Sequence, residues 1–192
     1  MPKPNLKVVH GKAGSAAKFK KRQAAQTKTR QAADKRNPIP QTTPIAVLLL
    51  ISLHLFLALG AVGGGAALIA DPSGESMGMP VSLLERSFFP NFFIPGILLL
   101  LLFGAGPLVV AYGLWRLPRW PAAEAVNPYR RELHPVYALS LYVGFGQIVW
   151  IAVQTYMMNS VSPVQLLYTS MGLLIAIATL LPSVRIYCLK KA

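Results

Sequence analysis

The run Ile45–Ala70 reads IAVLLLISLHLFLALGAVGGGAALIA, 26 residues without a charge. A helix that crosses the hydrocarbon of a bilayer needs about 20 predominantly apolar residues. Three more uncharged runs follow, at 92–115, 136–158 and 164–184. In hydrocarbon the backbone has no water to bond to, so each run must satisfy its own N–H and C=O groups as a helix. The two-residue alternation of a membrane barrel is absent. The expected fold class is therefore all-α: a polytopic membrane protein with four transmembrane helices in a bundle. The first run far exceeds the 7–15 residues, roughly, of a signal-peptide core, and a long polar segment precedes it. It reads as a retained span.

Composition agrees. Of the 192 residues 54% are hydrophobic and 13% charged, about half the charged share of an average soluble domain. Mean hydropathy is +0.47. The net charge of +13 is unevenly placed: residues 1–40 hold 11 of the 19 Lys+Arg and a single acid, Asp34. Between Lys12 and Arg36 the only large apolar residue is Phe19, so this stretch has little to bury and is expected to be disordered. The expected organisation is a basic arm over 1–43, a membrane domain over 44–187 and a short tail over 188–192. One cysteine, Cys188, excludes an intrachain disulfide and a cysteine-based zinc site.

Basic residues alternate between the connecting segments. The arm has 11, the 71–91 loop one (Arg86), the 116–135 loop four, the 159–163 loop none and the C-terminus three. Cytoplasmic segments carry the excess of Lys and Arg, so both termini and the 116–135 loop are expected in the cytoplasm. The arm's Lys18, Lys20, Lys21 and Arg22 are candidates for contact with anionic lipid or an acidic partner surface. Nucleic acid is disfavoured, because one aromatic cannot stack successive bases.

Helix faces supply the remaining candidates. Ser140, Gly144, Gln147, Ile151, Gln154 and Met158 follow 4-3-4-3-4 spacing, as do Gln165, Thr169, Gly172, Ala176, Thr179 and Ser183. Such spacing keeps one stripe against a neighbouring helix. Small residues on it permit close approach and polar ones permit interhelical hydrogen bonds. Gly60, Gly64, Gly106, Gly144 and Gly172 are the expected packing glycines. His54, the one titratable side chain well inside a span, joins Gln147, Gln154, Gln165 and Thr169 as candidate ligand-binding residues. Intramembrane ionisable groups are functional candidates by default, but a structural hydrogen bond also accounts for His54. Gly104, Gly106 and Pro107 predict a kink in the second span. Trp115 and Trp120 read as interfacial anchors. No HExxH, GxSxG or Walker A motif occurs, so no catalytic residue, metal ligand or cofactor is expected.

Asp71-Pro72-Ser73-Gly74, Gly78-Met79-Pro80 and Ile94-Pro95-Gly96, with the later runs Ile151-Ala152-Val153-Gln154, Ser162-Pro163-Val164-Gln165 and Leu181-Pro182-Ser183-Val184-Arg185, resemble a group of small uncharacterised bacterial four-helix integral membrane proteins. The resemblance covers about residues 45–187. It implies a bacterial cytoplasmic membrane and the same four-span plan, and no activity. The expected role is non-enzymatic: a structural or accessory protein that packs against partner membrane helices in a complex or homo-oligomer. The alternative is a carrier or binding protein for a small apolar or weakly polar molecule. A membrane enzyme stands third.

Overall fold

The computed structural model describes residues 43–190 and Gln23. The expected basic arm, with Lys18, Lys20, Lys21 and Arg22, lies outside the described residues. Among the described residues there is no strand, and four helices are long and apolar enough to cross a membrane. They are α1 (Ile45–Ala70), α2 (Phe93–Arg116), α3 (Pro135–Met158) and α4 (Pro163–Leu180). A short helix α5 (Pro182–Tyr187) follows. The chain is an all-α four-helix membrane bundle. α1 lies against α2 and α4, α3 pairs with α4, and the second half of α2 closes on α3.

The fourth span is shorter than its uncharged run. It stops at Leu180 because Pro182 follows: the residue before a proline is pushed out of the helical region, and Leu181 sits at φ −58°, ψ 137°. Eighteen residues rise about 27 Å, close to the hydrocarbon thickness. The break also ends the inward stripe at Thr179, which is buried, and turns Ser183 outward. In the second span the helix is irregular just before Gly106 and Pro107. Leu99–Ala105 winds as a π-helix, and the Gly106 N–H reaches back five residues to the Leu101 carbonyl. Pro107 has no N–H to continue the ordinary ladder and its ring crowds the preceding turn. One wider turn absorbs both problems.

The glycines show where backbones meet. A Cβ on Gly144 would lie 3.0 Å from the Gly172 carbonyl oxygen, and one on Gly172 would lie 2.8 Å from that of Gly144. These two residues make the α3–α4 contact. Between α1 and α2 the close approach is at Gly65 and Gly96 instead: a Cβ on Gly65 would meet the Gly96 oxygen at 2.9 Å. Gly60 faces the Tyr168 hydroxyl, and Gly64 has ordinary space before Leu99 at 3.5 Å. Gly106 packs against no other helix; its nearest neighbour is its own helix's Leu101 oxygen at 3.8 Å. Three consecutive glycines, 63 to 65, leave the sequence unable to say which one faces α2.

The 71–92 loop is folded. Asp71 organises its start: one carboxylate oxygen accepts from the Ser73 N–H and hydroxyl (3.1 and 2.6 Å), the other from the Ser76 N–H at 2.9 Å. Gly74 takes φ +74°, and a Cβ there would meet the Met79 oxygen and the Phe92 ring. The Phe92 N–H closes the loop on the Pro72 oxygen at 2.9 Å. Arg86 ties it to the end of α3 through Asn159, 3.1 Å away. Hydrogen bonds from Ser73 and Ser76 hold the Asp71 carboxyl down at about 2, below its ordinary 3.8. A depressed carboxylate stabilises the fold above its ordinary value and loses that contribution as pH falls through the folded one. Amide exchange at Ser73 and Ser76 should therefore stay protected from neutrality to about pH 4 and rise as pH approaches 2. Asp71→Asn should show raised exchange at all pH values. Protection unchanged in the variant would contradict this role.

At the opposite end, the C-terminal residues are pinned to the 116–134 loop. The His134 N–H donates to the Cys188 oxygen at 2.8 Å and the Lys190 N–H to the Glu132 oxygen at 2.9 Å. Lys190 Nζ pairs with Glu124 at 2.8 Å. His134 caps α3: Nδ1 accepts from the Val136 N–H, which leaves Nε2–H to donate to the Pro118 oxygen at 2.8 Å. Cys188 is buried, and burial pushes its thiol up to about 12. Trp120 folds back over Gly113 and stacks near Tyr112 rather than facing outward. Trp115 is exposed beneath the Arg116 guanidinium, as an interfacial anchor requires.

Candidate functional site

Two polar centres lie along the α3 stripe Ser140–Gln147–Gln154, and they differ in kind. The first is closed. His54 Nε2 lies 2.9 Å from Ser140 Oγ, Ser140 Oγ 2.6 Å from Thr179 Oγ1, and Thr179 Oγ1 2.7 Å from the Ile175 carbonyl oxygen. The last contact fixes the direction of the rest. A hydroxyl has one proton. Thr179 spends its proton on the carbonyl, so it accepts from Ser140. Ser140 has then spent its own, so it accepts from His54. His54 is thereby held with the proton on Nε2, and Nδ1, buried, has no partner. This chain joins α1, α3 and α4 across the bundle. Its geometry is that of an interhelical bond network.

The second centre is open. A cavity of about 320 Å³ lies between α1, α3 and α4 beneath the 71–92 loop, with Gln147, Gln154 and Gln165 in its wall. A neighbouring cavity of about 210 Å³ lies between the first half of α2 and the end of α3, roofed by Leu84, Phe89 and Phe92. The two share Leu68, Met79, Leu99, Trp150 and Gln154. Among the described residues no charged side chain lines either. Gln147 is 2% exposed, and its Oε1 has no hydrogen-bond partner. Leaving a buried acceptor unpaired costs about 1–3 kcal/mol.

The five candidate ligand residues thus separate. Gln147 and Gln154 share the cavity wall, seven residues apart on one helix. Gln165 reaches the wall too, but its Oε1 accepts from the Ser162 N–H at 2.7 Å and caps α4. Thr169 donates to the Gln165 carbonyl at 2.8 Å and lines neither cavity. His54 also lines neither; it belongs to the closed network. Three contributors escape the sequence reading. Met77 and Met79 arrive from the loop, whose fold depends on Asp71 and Gly74, and Trp150 comes from α3 one turn from Gln147 and Gln154. A signal did exist for Trp150, since it sits at i+3 from Gln147. Among the described residues no cluster of His, Cys, Asp and Glu forms a metal site. Comparison with family models, curated proteins and solved structures finds no match.

Proposed function

We propose that the protein is a membrane-embedded binding or carrier protein for a small, weakly polar molecule held beneath the 71–92 loop. The cavity itself carries this reading: about 320 Å³, walled by apolar side chains with Gln147, Gln154 and Gln165 among them, a volume within the range of about 300–1,000 Å³ typical of ligand sites. The test is native mass spectrometry of the gently solubilised full chain, followed by organic extraction. A stoichiometric small molecule should accompany the wild type and be lost from Ala61→Phe, which fills the same cavity. Identical extracts from both proteins would overturn the reading.

The accessory role is the second reading. It is favoured by Gly63, which has open space beside it on an exposed face of α1, so a partner helix can approach there. The distribution of 18 basic residues against one supports cytoplasmic termini. The resemblance noted above supports a bacterial cytoplasmic membrane. The basic arm fits an anionic lipid surface or an acidic partner. A peptide of residues 1–40 should bind vesicles containing phosphatidylglycerol and leave them as salt rises. Indifference to such vesicles at low salt would remove the lipid half of that proposal.

A further inference from the structure

We infer that the turn at residues 128–132 holds the head group of an anionic phospholipid, with Arg130 and Arg131 binding its phosphate. This site is separate from the cavities beneath the 71–92 loop and from the basic arm, and it stands or falls independently of the binding reading above.

Of the six Asp and Glu in the chain, Asp71, Glu75 and Glu85 lie on the 71–92 loop, at the opposite end of the bundle. Glu124 is taken by Lys190 at 2.8 Å and Glu132 by Arg185 at 3.7 Å. The sixth, Asp34, stands in sequence among the 11 basic residues of the arm. Arg130 and Arg131 are both exposed, and among the described residues neither has an ion-pair partner. The turn that carries them is fixed. Asn127 is buried; it accepts from the Tyr129 N–H at 3.0 Å and donates to the Leu133 oxygen at 3.0 Å. Lys190 Nζ donates to the Arg130 carbonyl oxygen at 2.5 Å. The turn curls around an open concavity of about 440 Å³ lined by Tyr129, Arg130, Arg131 and Glu132. Two guanidiniums on a fixed turn can each offer paired N–H groups to phosphate oxygens, which is the geometry arginine suits. The surroundings favour a lipid head group over a soluble anion. Val126 and Tyr129 are exposed beside the arginines, and Trp115 is exposed at the end of α2. The Tyr142 hydroxyl donates to the Val126 oxygen at 3.0 Å and holds this segment against α3. Exposed Trp and Tyr at the ends of spans sit at head-group level, where basic pockets take anionic lipid. Glu132 opposes a phosphate in the concavity, and its pairing with Arg185 offsets that charge.

The test is native mass spectrometry of the full chain released from nanodiscs of phosphatidylglycerol and phosphatidylcholine in equal parts. The two lipids share a phosphodiester and differ in net charge. Lipid that stays with the wild type should be enriched in phosphatidylglycerol. Arg130→Gln with Arg131→Gln should lower that enrichment at least about fivefold, the factor expected for a single basic residue at a lipid surface. Arg116→Gln with Arg119→Gln removes the same charge from the same connecting segment and should leave most of the enrichment in place. Glu132→Gln removes the opposing carboxylate and should raise it. All these side chains are exposed, so the variants keep the fold. Equal loss from the two arginine pairs would overturn the site and leave only diffuse surface charge. Enrichment that neither pair changes would overturn it too, and would move the lipid to the arm. Equal retention of the two lipids by the wild type would overturn the inference outright.

Discussion

Gly172→Leu is expected to destabilise the bundle by about 1–3 kcal/mol, the usual range for overpacking a tight contact. The Cβ alone would come within 2.8 Å of the Gly144 carbonyl oxygen, 3.0 Å of Ile148 and 3.2 Å of the Gln147 Cβ. The first of these atoms is backbone and cannot rotate away, so α3 and α4 must separate. Gly144→Leu should have a similar effect, because its Cβ meets Ala176 N and Gly172 O at 3.0 Å. The double variant should cost less than the sum, since the first substitution already forces the helices apart. Leu173→Ile is the control: Leu173 is 52% exposed and one residue away. Thermal melts in detergent read the difference. Equal melting of Gly172→Leu and Leu173→Ile would contradict the close α3–α4 contact.

Ser140→Ala should cost about 1–3 kcal/mol although it deletes a single oxygen. The substitution strands the His54 Nε2–H and removes the donor to Thr179 at once. Bonds of this kind within membranes average about 0.6 kcal/mol, so the upper end of the range needs both partners to stay dry. A cycle of His54→Leu, Ser140→Ala and the double variant isolates the effect. With His54 gone, Ser140→Ala strands no N–H, and the double variant should be more stable than additivity predicts by at least about 0.5 kcal/mol. Strict additivity would mean that the two side chains do not depend on each other.

The spans were legible because length and absence of charge are sufficient to define a membrane helix. The stripes were legible for the same kind of reason. Ser140, Gly144, Gln147 and Ile151 are all buried, as their spacing requires. What the spacing could not assign was the partner of each polar group. Gln165 and Thr169 sit on the inward stripe yet hydrogen-bond to their own helix: Gln165, in the first turn, meets the unpaired Ser162 N–H, and Thr169 bonds back to the carbonyl four residues earlier. His54 looked isolated because its partner, Ser140, is 86 positions away in the chain. The end of α4 was written in the sequence as Pro182, but the uncharged run continued past it and masked the break. The loop was the least legible part. Its shape depends on one carboxylate, Asp71, and one left-handed glycine, Gly74, and hydrophobicity reports neither.

The proposed orientation, with both termini cytoplasmic, would turn the cavities toward the outer leaflet. Single cysteines at Ser76 and Ala122, both exposed positions on opposite connecting segments, test it directly. Cys188 can remain in place, since burial holds its thiol at about 12 and shields it from reagent. Intact cells are treated with a membrane-impermeant maleimide. Position 76 should react at once and position 122 only after the membrane is permeabilised. Reaction at 122 in intact cells, with or without reaction at 76, would contradict the four-span topology with cytoplasmic termini.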